Sequence, residues 1–342
     1  MLNRWLASHA FERKGFWFRR YSAWLDRRYC QVHGIGHVGK AQADTHARRA
    51  ATAILAAAER RESPGTCSKI IWMYWHAPLE QAPEVVQLSV RSWQVMNPDY
   101  DVRLLSDDTM EAHLGFDFMA AFELCRVRLK VATKVDVLRL YLLSRFGGVW
   151  ADATLFCLKP LKTWMPALVD EFGFYTFRRE AVVTRPIEFW FIAAKRGDPV
   201  IQRVFELLVM HLFRDRRRAL YVSNSRKCLQ KAGVRKNHGS PICLEEVEDA
   251  ERKGFVPYFI TGYLFNKATR KAWSPEKVRQ YFLSENRCQA NLECVGLSGL
   301  VASKESYKSH HQESRGYQVR KALLLARMSR GKSDRSSVEV GV

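Results

Sequence analysis

Two sets of polar residues stand out because the segments that carry them are otherwise apolar. In GGVWADATLFCLKPL, residues 147–161, Asp152 interrupts a run of Val, Trp, Leu and Phe that reads as a buried strand. Alternation sets Val149, Ala151, Ala153 and Leu155 on one face and Trp150, Asp152, Thr154 and Phe156 on the other, so Asp152 and Thr154 point the same way. A carboxylate and a hydroxyl two residues apart can hold a hydrated divalent metal or a ribose, while a lone aspartate at a strand end can equally cap a neighbouring helix. The second set lies just upstream. On a helix over 134–146, Lys134, Tyr141, Ser144 and Arg145 share one side, and Asp136 and Arg139 fall with Leu140 and Leu143 on the opposite one. Inward-facing charges are costly unless paired or bound to something, and an Asp/Arg pair at i,i+3 can either satisfy itself or face a ligand.

The elements that must position these residues follow from periodicity and punctuation. KIIWMYW (69–75) has strand composition, and APEVVQLSVRSWQVMNPD repeats apolar residues at helical spacing until Asn97-Pro98 stops it. YDVRLLSDD supplies a second strand. A helical region over 109–131, the helix KVDVLRLYLLSRFGG capped by Gly147, and the strand with Asp152 come next. This order predicts an α/β fold with parallel pairing, and ligands bind at the polar ends of such strands. EFWFIAAKRGDPVIQRVFELLVMHLF reads as helix, turn at Gly197-Asp198-Pro199, and helix. Before the α/β body, a Gly-rich connection leads into an Ala-rich helix through about Ala58, and RESPGTCS is a turn cluster. Residues 214–257 are mixed and basic, with no assignable chemistry. The chain closes in a short basic amphipathic helix and a polar tail.

The 342 residues carry a formal net charge of +20, concentrated per residue at the two ends. That distribution suits a near-neutral body with adhesive termini better than a basic groove through the fold, which argues against nucleic acid as a partner. Eight cysteines show no Cys-x-x-Cys pair and no zinc spacing, so they read as reduced thiols in a cytoplasmic protein, with Cys157 a small buried hydrophobe. No apolar run approaches the roughly 20 residues needed to span a bilayer, and the N-terminus lacks the apolar core of a signal peptide. Residues 1–30 interleave Trp5, Phe11, Phe16, Trp17, Phe18, Tyr21 and Trp24 with seven Arg and Lys residues. Such a segment either lies in the plane of an anionic membrane surface or packs on the protein's own core.

Three blocks taken together, SKIIWMYWHAPLEQAPEVVQLSVRSWQVMNPDYDVRLLSDD, KVDVLRLYLLSRFGGVWADATLFCLKPL and FWFIAAKRGDP, resemble the capsular polysaccharide synthesis proteins. That family is related to glycosyltransferases with an Asp-x-Asp sugar-binding region, including yeast-type mannosyltransferases and glucosylating clostridial toxins. The resemblance covers roughly 67–310 and implies a GT-A (Rossmann-like) glycosyltransferase domain there, flanked by the basic, aromatic, helical extension over 1–66 and the basic helix and tail over 311–342 that composition and periodicity give. It implies transfer of a sugar, with retention, from a nucleotide-sugar donor to a saccharide or lipid-linked saccharide acceptor at the cytoplasmic membrane face. By the same resemblance Asp136 and Arg139 would contact the donor sugar, and Asp152 would lie near ribose and a divalent metal, Mn²⁺ or Mg²⁺. Trp75, which a plain reading makes a core aromatic, would stack on the base. SKESYK, an imperfect match to a Lys-containing motif, would bring Lys304 and Lys308 to the diphosphate. Thr154 stands where the wider family has a second Asp, and a neutral hydroxyl is a poorer metal ligand than a carboxylate. Two competing readings are a catalytically silent scaffold of a synthesis complex, for which Thr154 is the hint, and a basic nucleic-acid-binding protein, for which charge is the sole support.

Overall fold

A computed structural model describes residues 40–58, 65–118, 127–178, 187–214, 220–223, 255–283 and 300–339, together with Phe122, Cys125, Arg216, Val247, Glu251, Leu297 and Gly299. The aromatic segment 1–30 and most of 224–254 lie outside the described residues.

The Ala-rich segment forms helix α1 (Lys40–Ala58), and IIWMY forms strand β1 (Ile70–Tyr74). Helix α2 (Glu84–Met96) starts after Pro83 and ends at Asn97, as its sequence predicts. Asn97 then ties the helix to the next layer, since its Oδ1 accepts from the Leu161 backbone N–H at 2.7 Å. Strand β2 (Asp101–Leu105) pairs in parallel with β1. Helix α3 (Met110–Leu114), the two-residue strand β3 (Val127–Arg128) and helix α4 (Val131–Phe146) lead to β4 (Gly148–Ala151), which pairs in parallel with the other edge of β1. Gly147 and Gly148 make the turn from α4 into β4 with φ of 67° and 95°. A Cβ there would meet the Arg196 backbone nitrogen at 2.7 Å and the Ile70 carbonyl oxygen at 2.6 Å, so both positions require glycine.

Strand β5 (Leu155–Cys157), helix α5 (Pro166–Phe172) and strands β6 (Phe174–Arg178) and β7 (Ile187–Ala194) follow. After α6 (Pro199–Phe213), the strands β8 (Leu220–Ser223) and β9 (Phe255–Pro257) form a small parallel sheet with β3. Helices α7 (Ile260–Ala272) and α8 (Pro275–Leu283), strand β10 (Ala302–Lys304), and helices α9 (Ser309–Gln312) and α10 (Arg315–Glu339) complete the described chain.

The main sheet has the order β2-β1-β4-β7-β6, with β2, β1 and β4 parallel and β7 antiparallel to both of its neighbours, β4 and β6. Side-chain alternation distributes each central strand over two cores. Trp72 and Trp150 join one core with Val137, Leu138 and Leu140 of α4, while Ile71, Met73, Val149 and Ala151 join the other with Val85, Val90 and Trp93 of α2. Helices therefore cover both faces, the α/β arrangement that the element order predicts. Because β2 and β4 flank β1 and are reached over opposite faces, the carboxyl ends of β1 and β4 bound a topological switch point.

Four expectations need correction. The region 109–131 is not helical throughout: α3 ends after five residues at Gly115, whose φ of 78° closes it. EFWFIAAK does not open a helical hairpin. Ile187–Ala194 is a strand between β4 and β6, and a buried apolar run of this length carries no periodicity to separate strand from helix. The strand through Asp152 is not continuous either, because the chain turns at 152–154 and the Leu155 N–H donates to the Asp152 carbonyl at 2.8 Å. Leu155 and Phe156 consequently enter the same core. Finally, Tyr141 and Ser144 are buried along with the apolar residues of α4, which is enclosed over most of its circumference.

Cys67, Cys125 and Cys157 are free thiols, and Cys157 is fully buried as expected.

Candidate functional site

The residues nominated from sequence meet where β1 and β4 end. Asp152 is the first residue after β4, held by its N–H donating to the Trp190 carbonyl at 2.9 Å. Its Oδ1 accepts from Arg139 Nη2 at 3.0 Å and from the indole of Trp150 at 2.9 Å. Oδ2 accepts from Lys304 Nζ at 2.8 Å. The same ammonium donates to Thr154 Oγ1 at 2.8 Å, so Asp152 and Thr154 do share a direction, and a lysine occupies it.

Arg139 projects from the middle of α4 beneath this cluster. Its guanidinium bridges the two carboxylates, lying 3.3 Å from Asp136 Oδ1 on its own helix, and also donates to the Phe189 carbonyl. It lies over the ring of Trp150 at 5.1 Å. Asp136 Oδ2 accepts from the Thr261 hydroxyl at 3.0 Å, which anchors the first turn of α7 to the site.

Lys304 reaches Asp152 because β10 pairs antiparallel with β5, opposing Lys304 to Leu155. The ladder extends one step further: the Glu305 N–H donates to the Thr154 carbonyl, and the Thr154 hydroxyl donates to the Glu305 carbonyl, both at 3.0 Å. Glu305 itself points away into the protein. Its buried carboxylate takes Arg320 at 2.6 and 2.8 Å, His311 at 2.8 Å and the Ser303 hydroxyl at 2.7 Å, so α10 and α9 fix the end of β10.

The two carboxylates have opposite electrostatics. Burial raises the Asp136 carboxyl to about 6, only partly offset by Arg139 and the Thr261 hydroxyl. Burial acts on Asp152 in the same direction, but Lys304 and Arg139 together outweigh it and hold the carboxyl at about 2. Asp152 is thus a fixed negative charge, whereas Asp136 titrates close to neutrality.

Around this centre, Trp75 follows β1 directly and keeps the ladder, its N–H donating to the Leu105 carbonyl at 3.0 Å. It is half-buried, with part of its surface on the core and its ring edge-on to exposed Tyr307 at 5.5 Å. The packing on the core agrees with the plain reading of Trp75. Lys308 is exposed at the head of α9 and joins none of the ion pairs of the cluster described above.

Sequence reasoning did not nominate Thr261, Tyr258, Tyr307 or Glu305. Tyr258 lies just ahead of α7, where burial and then the Asp136 carboxylate raise its phenol. PYFITGY carries no period or spacing that ties it to Asp136. Trp150 was legible, since alternation already put it on the face of Asp152.

What the arrangement can do is present a carboxylate of adjustable charge beside a fixed ion pair at an open strand end. Such a site suits a ligand that carries both a polar ring and an anionic group.

A profile of the family described as "Capsular polysaccharide synthesis protein" matches residues 42–223. The chain is 25% identical over 154 residues to the protein named "Putative glycosyltransferase HOC1" of Saccharomyces cerevisiae, a match covering 41% of this chain and 38% of that one. It is 30% identical over 159 residues to "O-glycosyltransferase braB" of Annulohypoxylon truncatum, covering 42% and 38%. The chain thus spans well under half the length of these relatives. Among solved structures, "PaToxG Glycosyltransferase" superposes with a TM-score of 0.30 at 16% identity, over 70% of this chain and 92% of that one. With more than half of its length matched by the profile, including every element from β1 to β7, the chain belongs to the capsular polysaccharide synthesis protein family.

Proposed function

We propose that this protein is a glycosyltransferase of GT-A type that moves a sugar from a nucleotide-sugar donor to an acceptor hydroxyl on a growing surface saccharide. The observation that carries the reading is the junction of Asp136, Arg139, Asp152 and Lys304 at the switch point between β1 and β4. Cleaving a sugar–phosphate bond builds positive charge on the ring and negative charge on the departing diphosphate. The cluster offers one sign for each: the carboxylate of Asp136 for the ring, and the cations of Lys304 and Arg139 for the diphosphate. Trp75, half-buried and next to the cluster's strand end, offers an aromatic face for the base. Family membership and the names of both curated relatives support the transferase reading. Among the described residues no helix is long and apolar enough to cross a membrane. The basic aromatic segment 1–30 supports contact with an anionic membrane face, where a lipid-linked acceptor would be found.

The test is a thermal-shift screen against a panel of nucleotide-sugars, followed by a transfer assay with the stabilising donor radiolabelled in the sugar. Stabilisation by one nucleotide class and label appearing in a saccharide acceptor are expected. If no nucleotide diphosphate or nucleotide-sugar shifts the melting transition, the proposal fails.

A further inference from the structure

The donor set at Asp152 does not fit a divalent metal. All four carboxylate oxygens of Asp136 and Asp152 already have partners: Arg139 and Thr261 for the first, Arg139, Trp150 and Lys304 for the second. Thr154 Oγ1 is likewise committed, donating to the Glu305 carbonyl and accepting from Lys304. Among the described residues no three His, Cys, Asp or Glu side chains converge as a metal-holding group. Mn²⁺ and Mg²⁺ call for several oxygens about 2.0–2.2 Å away in octahedral array, and here the single fixed carboxylate meets two cations instead. The ammonium of Lys304 lies 2.8 Å from both Asp152 Oδ2 and Thr154 Oγ1, between the two side chains that the sequence reading gave as able to hold a hydrated divalent metal or a ribose.

We propose that Lys304 takes the place of the divalent cation in this site, neutralising the donor diphosphate directly, so that nucleotide binding needs no metal. Three structural facts favour that assignment. The lysine is about one-third exposed, so its flexible stem can carry the charge to an incoming phosphate. Asp152 keeps Arg139 and Trp150 as partners when the lysine turns away, and so is not stranded. The backbone of β10 is held on both sides, by β5 and by the Glu305 cluster, which gives Lys304 a fixed base from which to reach. The inference deepens the donor-site reading and rests on it.

The experiment is calorimetry of the full chain with uridine diphosphate and guanosine diphosphate as probes, in EDTA and in Mn²⁺. We expect the better probe to bind within about twofold in the two buffers. Lys304→Ala should weaken binding in EDTA by at least about tenfold, the loss of one charge-assisted contact, and added Mn²⁺ should recover part of it at the freed Asp152 and Thr154 oxygens. Lys304→Arg, which keeps the charge, should remain insensitive to EDTA. If the unaltered protein loses tenfold or more in EDTA and regains it with Mn²⁺, Lys304 does not replace the metal and the inference is overturned while the donor-site reading survives. Binding of neither diphosphate in either buffer overturns both.

Discussion

Lys304 and Asp152 are separated by 152 positions in the chain and meet at 2.8 Å. The contact closes the site, since it joins the strand end that carries Asp152 to a segment beyond the last helix of the α/β body. It also explains how a fixed carboxylate survives in an apolar wall: with Arg139 on one oxygen and Lys304 on the other, ionisation is favoured despite burial.

Asp152→Asn should lower transfer by about 100-fold or more while the protein stays folded. An amide preserves the shape but cannot accept from Arg139, Trp150 and Lys304 all at once, so the two cations lose their alignment. Rates with labelled donor, alongside circular-dichroism melts, check this. Unchanged transfer would reduce Asp152 to a structural anchor.

Asp136 and Arg139 should behave differently from each other. Burial raises Asp136 to about 6, so at pH 7 it is mostly the carboxylate, buried at a cost to stability; Asp136→Asn is therefore expected to abolish transfer at pH 7 and to change stability by less than about 1 kcal/mol, because relief of the buried charge offsets the lost contact with Arg139. Arg139→Ala leaves two buried carboxylates without their shared partner and should destabilise by about 3–5 kcal/mol. Denaturant unfolding separates the two. Equal destabilisation by both changes would make the pair purely structural.

Stability should rise as pH falls from 7 to 5. Asp136 and Asp198, the N-cap of α6, are both raised by burial to about 6, so the folded protein binds their protons more tightly than the unfolded chain. Their gain builds between pH 6 and the ordinary carboxylate range near 3.8. Asp152, lowered to about 2, acts with the opposite sign: its contribution is full above 3.8 and is lost as pH drops toward 2. Glu305 is also held below the ordinary carboxylate range, because Arg320, His311 and Ser303 outweigh the effect of burial, and it adds to the acid loss. Melting temperature against pH should therefore pass through a maximum between about 4 and 5. In Asp136→Asn the rise between pH 7 and 5 should shrink, and an unchanged rise would contradict the assignment.

Glu305→Gln should weaken nucleotide binding without touching the nucleotide. The buried carboxylate holds Arg320 with two hydrogen bonds and sets the end of β10, so its loss loosens the base of Lys304. A destabilisation of about 3 kcal/mol or more is expected, with Kd raised and the EDTA insensitivity kept. A site that depended on metal would instead show a changed Mn²⁺ response.

Trp75→Ala should cost donor binding about 1–3 kcal/mol if the indole stacks on the base, and the quenching of tryptophan fluorescence by nucleotide should fall with it. Phe at the same position should restore most of the affinity. Binding unaffected by Trp75→Ala would return this residue to the core.

Local physics made much of this protein legible in its sequence. Asn97-Pro98 ends α2, Gly147-Gly148 ends α4, and period-2 alternation puts Trp150 and Asp152 on one face, all within a few residues of chain. The inward charge of Asp136 and Arg139 was readable for the same reason, since helical spacing fixes which face they share. Buried apolar runs gave no such signal, so β7 could not be told from a helix until β4 and β6 supplied its ladders. Partners distant in sequence lay further still beyond reach. That Thr261 steadies Asp136, that Glu305 anchors β10, and that Lys304 sits between Asp152 and Thr154 depends on β10 pairing antiparallel with β5 and on α7 packing beside α4. The sequence determined which charges the core must accommodate and that Asp136 and Arg139 share a helix face; tertiary pairing decided that Asp152 would meet Arg139 and Lys304, because ion pairs between separate elements form across space and leave no periodic trace along the chain.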